Sequence, residues 1–466
     1  MSLERSIPPV LRPLVRAYVL GYASSTIPRL LSLLLTHLIR KRKNNDKKKP
    51  NSLLSSAGSI LLKGLDPQRF PTFCAALIGG STLIEARDNS FPETSRIPRL
   101  ARLLSSFIAA WFSLELLQSK KSDVFLGTIP YDTPNGVKHK ATRYAGRTID
   151  LTLFAVTRAV DVVVGELWSR HRIRRTVAGK WSKFEQAISS LADTAIFASS
   201  SALIMWAFIY VPERLPQSYN KWITQAAQVD QRLLVALRHL KAGTIQYGTD
   251  CYDEAAFLRN MCKDYGWPLH YADPIKSVPF PCEMVHMGRG GQSCELHALI
   301  RFVQTSILCL STYVPLNIAL VIRNPTRQSL IYAMKSSARS SAFIGAFTAL
   351  YYYGVCLGRT RLGPRILGTS HPARQTLDSG ICIGTGCAIC GWTILLEHEG
   401  RRKDIGLWVA PRALATILPR RYALEEQWKE TLAFAISTAV VFMCVGEQPK
   451  RVRGVFGKLL NQVLYQ

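Results

Sequence analysis

The sequence predicts an all-α, polytopic integral membrane protein of two pseudo-symmetric halves, each a leading helix followed by a four-helix unit. Three observations carry this. First, apolar and basic residues are both abundant but kept apart: 48% of the 466 residues are hydrophobic and the mean hydropathy is +0.08, yet the formal net charge is +28. Lys and Arg gather in connectors such as RKRKNNDKKK (Arg40 to Lys49), RHRIRR (Arg170 to Arg175) and Arg401/Arg402, between runs nearly free of charge. Second, Phe302 to Ile322 is uncharged for 21 residues, enough at about 1.5 Å per residue to cross a hydrocarbon core of about 30 Å. Third, GRTIDLTLFAVTRAV (Gly146 to Val160) and GRRKDIGLWVAPRAL (Gly400 to Leu414) align without a gap, with six identities in fifteen positions. A duplicated set of hydrophobic helices is the signature of a membrane protein built from internal repeats.

Taken in order, residues 1–50 hold the first leading helix, Ala17 to Ile39 with Arg29 inside it, and the basic cluster. Residues 51–212 form the first four-helix membrane unit: Phe70 to Ile84, Leu103 to Leu117, the amphipathic Ile149 to Trp168, and Leu191 to Val211 with one acid, Asp193. Residues 213–295 are polar and mixed, and are expected as an aqueous connector holding an amphipathic helix, Ile223 to Leu240, and a Cys/His-bearing segment. The second leading helix, Phe302 to Ile322, falls in 296–330. The second four-helix unit, with a basic C-terminal tail, occupies 331–466: Ser340 to Gly358, Ser379 to Leu396, Ile405 to Leu418 and Thr431 to Gly446. Further repeat anchors are Arg69/Arg339, Phe73/Phe343, Trp111/Trp392, Thr194/Thr431, Phe197/Phe434, Ala198/Ala435 and Ala202/Ala439. Lys and Arg flank nearly every hydrophobic run at both ends, so the positive-inside rule assigns no orientation.

A soluble nucleic-acid binder would be basic but would not need uncharged runs of about 20 residues between its basic patches. The charge is therefore read as solvated connectors and contacts to anionic lipid headgroups. The expected partners are the lipid bilayer and those headgroups, with a homo-oligomer or other organelle-membrane proteins beside them, and no nucleic acid. The first residues lack a compact apolar core followed by a cleavage site, and NQVLYQ at the C-terminus is no retention address, so targeting is expected from internal signals.

Arg158 and Arg412 recur at the same place in both copies, near the middle of a membrane-associated helix, where an arginine needs a carboxylate, water or a protein interior. With Asp150 and Asp404, two turns earlier on roughly the same face, they are the expected pathway or interface residues, set against a reading in which they snorkel to the headgroups. Gly380, Gly384, Gly386 and Gly391, with Gly79 and Gly80 as first-half counterparts, are expected to let helices pack closely. Cys282, His286, Cys294 and His297, in Cys-x3-His-x7-Cys-x2-His spacing, admit a structural zinc, a disulfide or unligated cysteines, with Gly288, Gly290 and Gly291 turning the chain back. No other cofactor is expected. No nucleophile elbow, metalloprotease helix or kinase set is present, so the chain is not expected to be an enzyme.

The stretch PCEMVHMGRGGQSCELHALIRFVQTSILCLSTYVPLNIALVIRNP (Pro281 to Pro325) resembles the Cys-rich N-terminal domain of the transmembrane protein 135 family, through Cys282, His286, Ser293-Cys294 and Tyr313-Val314-Pro315. Onward to Gly446, the glycine-rich helices and the pattern of Glu397, Arg401, Arg402, Trp408 and Arg412 resemble the same family. Those helices are similar in turn to the four-helix unit of mitochondrial inner-membrane preprotein translocases and of a small peroxisomal membrane protein. The connector departs from the family, and the first half enters only through the repeat. The resemblance implies a multi-pass protein of peroxisomal or mitochondrial membranes, the peroxisomal membrane favoured, acting without chemistry in membrane organisation or in moving a solute, lipid or polypeptide. The alternative is a scaffold recruiting organelle division or tethering factors through the connector.

Overall fold

The computed structural model describes residues 7–43, 53–86, 97–133, 136–251, 253–322 and 325–465. The basic cluster at 40–49 lies outside them from residue 44 onward. In chain order the main elements are α1 (Arg12–Lys43), α2 (Leu53–Gly64), α3 (Phe70–Ala86), α4 (Ile97–Gln118), β1 (Leu126–Thr133), β2 (Gly136–Ala145), α5 (Ile149–Val177) and α6 (Lys183–Tyr210). The chain continues through α7 (Gln217–Ala227), α8 (Gln231–Ala242), α9 (Ala256–Tyr265), α10 (Cys282–Val285), α11 (Cys294–Val321), α12 (Arg327–Cys356), α13 (Gly363–Leu367) and α14 (His371–Thr376). It ends with α15 (Cys382–Cys390), α16 (Glu399–Ile417), β3 (Tyr422–Ala423), α17 (Gln427–Glu447) and α18 (Gly454–Tyr465).

Every one of the expected hydrophobic elements is helical, and six helical segments among the described residues are long and apolar enough to cross a bilayer: Arg99–Gln118, Lys183–Tyr210, Cys294–Val321, Arg327–Leu367, His371–Leu396 and Leu424–Glu447. The protein is an all-α, multi-pass membrane protein. Along α11 a continuous apolar face is open, with Leu299 59%, Ile307 63% and Leu320 73% exposed. In water so large a bare patch would aggregate; against acyl chains it needs no cover.

The chain packs as two compact units, residues 1–181 with 419–466 and residues 182–418, and these cut across the expected halves. In the first unit α3 packs on α1 and α4, while α17 packs on α4 and α5. In the second, α12 packs on α11 and α15, while α6 packs on α15 and α16. Each unit thus has a leading helix, three helices of its own copy, and the fourth helix of the other copy. One aromatic contact shows the exchange residue by residue. Phe73 meets Phe434 at 5.9 Å between ring centroids in one unit, and its repeat partner Phe343 meets Phe197 at 5.7 Å in the other. The expected boundaries at 51–212 and 331–466 are corrected accordingly. Helix α5 buries nothing after Val162 yet continues to Val177, and a Ser182–Glu185 capping box then starts α6.

Two more features differ from expectation. A β-hairpin, β1 with β2 and extended by β3, stands between α4 and α5; its sequence sign is Asn135-Gly136 between two strand-like runs. In the connector, the expected single helix over Ile223 to Leu240 is two, because Gln228 takes a left-handed conformation (φ 47°) and Asp230 caps α8 by accepting from the Arg232 amide. Nor is the connector a free aqueous module. Ile223, Leu234, Leu240, Leu258 and Met284 are buried in one core with Phe208, Tyr352 and Ile383.

Candidate functional site

Arg158 is 5% exposed in the first unit: its Nη1 donates to the Arg453 carbonyl at 3.1 Å, and its guanidinium lies 5.1 and 5.3 Å from the centroids of the Phe154 and Phe456 rings, which meet edge-on beside it. Beside it Arg453 pairs with Asp161. Arg412, in the second unit, stacks on Trp408 at 3.5 Å and on Tyr219 at 5.6 Å, and donates to the Trp408 carbonyl. Asp150 is exposed and pairs with Arg420 at 2.8 Å. Asp404 is half-buried on α16. The structure therefore does not gather these four residues into one site within either unit.

The glycines divide as well. A Cβ at Gly386 would stand 2.7 Å from the Tyr351 carbonyl, one at Gly391 2.5 Å from Ala198 Cα, and one at Gly80 3.0 Å from the Ala109 Cβ; at Gly79 it would strike Leu14. These are close helix approaches of the expected kind. Gly384 is a correction: nothing lies within 4 Å of a Cβ there. Gly380, at φ 173° and ψ −32°, sits in a π-helical turn, Leu377–Ile381, and faces Trp206. That turn breaks the helical register which would have put Gly380 and Gly384 on one face. Gly354, which the sequence reading passed over, is the residue that meets Gly386.

A polar centre that the sequence reading missed lies in the second unit. Arg359 Nε and Nη2 donate to both oxygens of Asp378 at 2.8 and 2.9 Å, and the Tyr247 hydroxyl donates to the same carboxylate at 2.6 Å. Arg359 and Asp378 are 4% and 2% exposed. Both belong to membrane-length segments, and both sit in π-helical turns, Leu357–Leu362 and Leu377–Ile381; such turns are uncommon and concentrate at functional sites. Tyr247 comes from the connector, held by Gln375, which accepts from the Tyr247 amide and donates to the Leu240 and Ile245 carbonyls. Burial first, then the Asp378 charge, pushes the Tyr247 phenol up, so it stays a donor. Arg359 Nη1 and the Tyr351 hydroxyl are buried with no hydrogen-bond partner among the described residues. They border a cavity of about 60 Å³ walled by Met205, Phe208, Leu237, Tyr352 and Val355. The sign in the sequence was slight: Arg359 and Asp378 stand one residue beyond the facing ends of two uncharged runs, Ser340 to Gly358 and Ser379 to Leu396.

Three members of the Cys/His segment do converge. Ligand atoms of Cys282, His286 and Cys294 all lie within 4.8 Å of one another. Met287, Gly288, Gly290 and Gly291 take positive φ, and a Cβ at Gly290 would lie 2.7 Å from the His297 amide nitrogen, so the loop closes tightly on the first turn of α11. Ser293 caps that turn by accepting from the Leu296 amide. His297 stands outside that close-set group: its Nδ1 bonds to the Arg289 carbonyl at 3.0 Å, its ring stacks on His286 at 4.3 Å, and its Nε2 is buried with no hydrogen-bond partner among the described residues. Cys356, at the end of α12, lies 3.3 Å from His286 Nε2. Cys251 and Cys262 are buried outside the cluster, and all eleven cysteines are free thiols.

No protein-family model matches the chain, nor does any curated protein or solved structure.

Proposed function

We propose that this protein is a non-enzymatic multi-pass protein of an organelle membrane, the peroxisomal membrane favoured over the mitochondrial, that moves an amphiphile with an anionic, hydrogen-bond-accepting headgroup between the bilayer and the connector side. The single observation that carries the reading is the buried Arg359–Asp378–Tyr247 centre on an apolar cavity, with one guanidinium nitrogen left unbonded. An ion pair at membrane depth is expensive and persists where a path or binding site uses it. Arg359 supplies the donor, the apolar wall suits the first carbons of a chain, and discontinuous helices at the site are what transporters use to offer backbone and charge to a substrate. A volume of about 60 Å³ has room for a few water-sized groups, at about 10–15 Å³ of such space each, and so takes a headgroup-sized fragment rather than a whole lipid. The resemblance to the transmembrane protein 135 family supports the organelle and the lipid connection.

The test is reconstitution of the full chain in phosphatidylcholine vesicles with a trace of head-labelled phosphatidylglycerol, reading label accessibility to dithionite over time. Wild-type protein should speed inner-leaflet label to the outside. Arg359→Leu with Asp378→Leu, which removes both charges together and so avoids stranding one, should insert normally and lose that acceleration. A wild-type rate equal to that of empty vesicles, or a double variant as fast as wild type, overturns the reading.

A further inference from the structure

We propose that Cys282, His286, Cys294 and Cys356 form a tetrahedral Cys3His zinc site that ties the connector to the membrane helices. Two of the four ligands, Cys282 and His286, come from the connector, Cys294 opens α11, and Cys356 ends α12. Three of the four donors already stand close together. A tetrahedron with zinc–sulfur bonds of about 2.3 Å and a zinc–nitrogen bond of about 2.0 Å has edges of about 3.5–3.8 Å. Here the ligand atoms of Cys282, His286 and Cys294 fall within 4.8 Å of one another, and Cys356 Sγ lies 3.3 Å from His286 Nε2; three corners are in place, and Cys356, outside that close-set trio, would close in as the fourth.

The surroundings are those of a ligand set. His286 Nδ1 lies 2.7 Å from the Gly291 carbonyl and can only donate to it, so the Nε2 lone pair is the one turned to the sulfurs. That is the outer bond by which metal-binding histidines fix their tautomer. Zinc with three thiolates carries one net negative charge. Soft sulfur and imidazole donors in a closed tetrahedral set select zinc over the hard cations. Cys356 stands three residues before Arg359, so the metal would also anchor the π-helical turn carrying that arginine. The inference does not rest on the lipid reading, because its test reads metal and not transport.

Full-length protein purified in detergent and washed with a weak chelator should hold one zinc per chain by elemental mass spectrometry. Cys356→Ser and Cys282→Ser should lose it, while Cys356→His, which keeps four ligands, and Cys382→Ser, a buried thiol elsewhere in the second unit, should retain it. Cobalt exchanged into the wild-type chain should give the intense visible bands of tetrahedral thiolate coordination, a readout independent of whether the variants fold. Wild type without zinc, Cys356→Ser with full zinc, weak octahedral cobalt bands, or a Cys282–Cys294 disulfide found by mapping would each overturn the proposal.

Discussion

At the scale of single residues, the protein settles the cost of arginine near lipid in different ways. Arg301, 1% exposed, caps the C-terminal end of α7 by donating to the Ala227 carbonyl and lies over the Tyr352 ring at 4.5 Å. Arg359 has a carboxylate. Arg158 has a carbonyl and two aromatic rings, which makes it the clamp on the segment leading into α18. Arg158→Leu should therefore cost about 1.5–3 kcal/mol, the worth of a charged hydrogen bond, and should speed proteolysis around residues 449–453; an unchanged cleavage pattern would count against the clamp. Arg158→Lys should restore only part, because a point charge cannot stack as a planar fork does. Asp230 gives a pH dependence. Its hydrogen bonds from Arg232 hold its carboxyl below the ordinary value of 3.8. A depressed folded pKa adds stability that is present above the unfolded value and lost as pH falls through the folded one. Between pH 5 and pH 2, wild type should thus lose stability that Asp230→Asn, already without it, does not lose, as followed by thermal melts in detergent. The mid-helix arginines were legible as costly residues, but Arg453, Phe456 and Tyr219 were not legible as their partners, since these lie far away in the chain.

At the scale of elements, helix contacts decide what a glycine is for. Ala at Gly354 would put a Cβ 2.8 Å from Gly386 Cα and 3.2 Å from the Thr385 carbonyl, backbone that cannot yield without parting α12 from α15. Gly354→Ala should cost about 1–3 kcal/mol and lower the melting temperature. Gly384→Ala should be neutral within about 0.5 kcal/mol, because its site is open. Equal effects from the two would show that the packing is wrongly assigned. The helices themselves were readable from length and apolar content. Their interruptions were not: a π-helical turn depends on which side chains the neighbouring elements press against it, and here Asp378 is drawn into place by Arg359 and Tyr247.

At the scale of the molecule, the exchange of fourth helices is the main departure from a simple duplication. Cysteines replacing Phe73 and Phe434, or Phe197 and Phe343, should be joined by a short bis-maleimide within one chain, since those rings are 5.9 and 5.7 Å apart. Co-expressed fragments 1–181 and 419–466 should co-purify as the first unit, whereas residues 1–212, one whole copy, should not be stable alone. A stable 1–212 fragment would restore the undivided halves.

The sequence by itself determined that the chain is helical, dissolved in lipid and duplicated, because apolar run length, charge segregation and repeated residues are local properties. It also marked three members of the Cys/His cluster, which are close together along the chain. Only the tertiary structure decided which copy supplies each fourth helix, that Cys356 meets His286, and that Arg359 meets Asp378. The physical reason is the same in each case. Phe197 and Phe434 fit either copy's Phe73 or Phe343, a thiol fits any tetrahedral corner, and a guanidinium fits any carboxylate. Local chemistry states what kind of partner a residue needs, and the path of the connecting chain selects which one it meets.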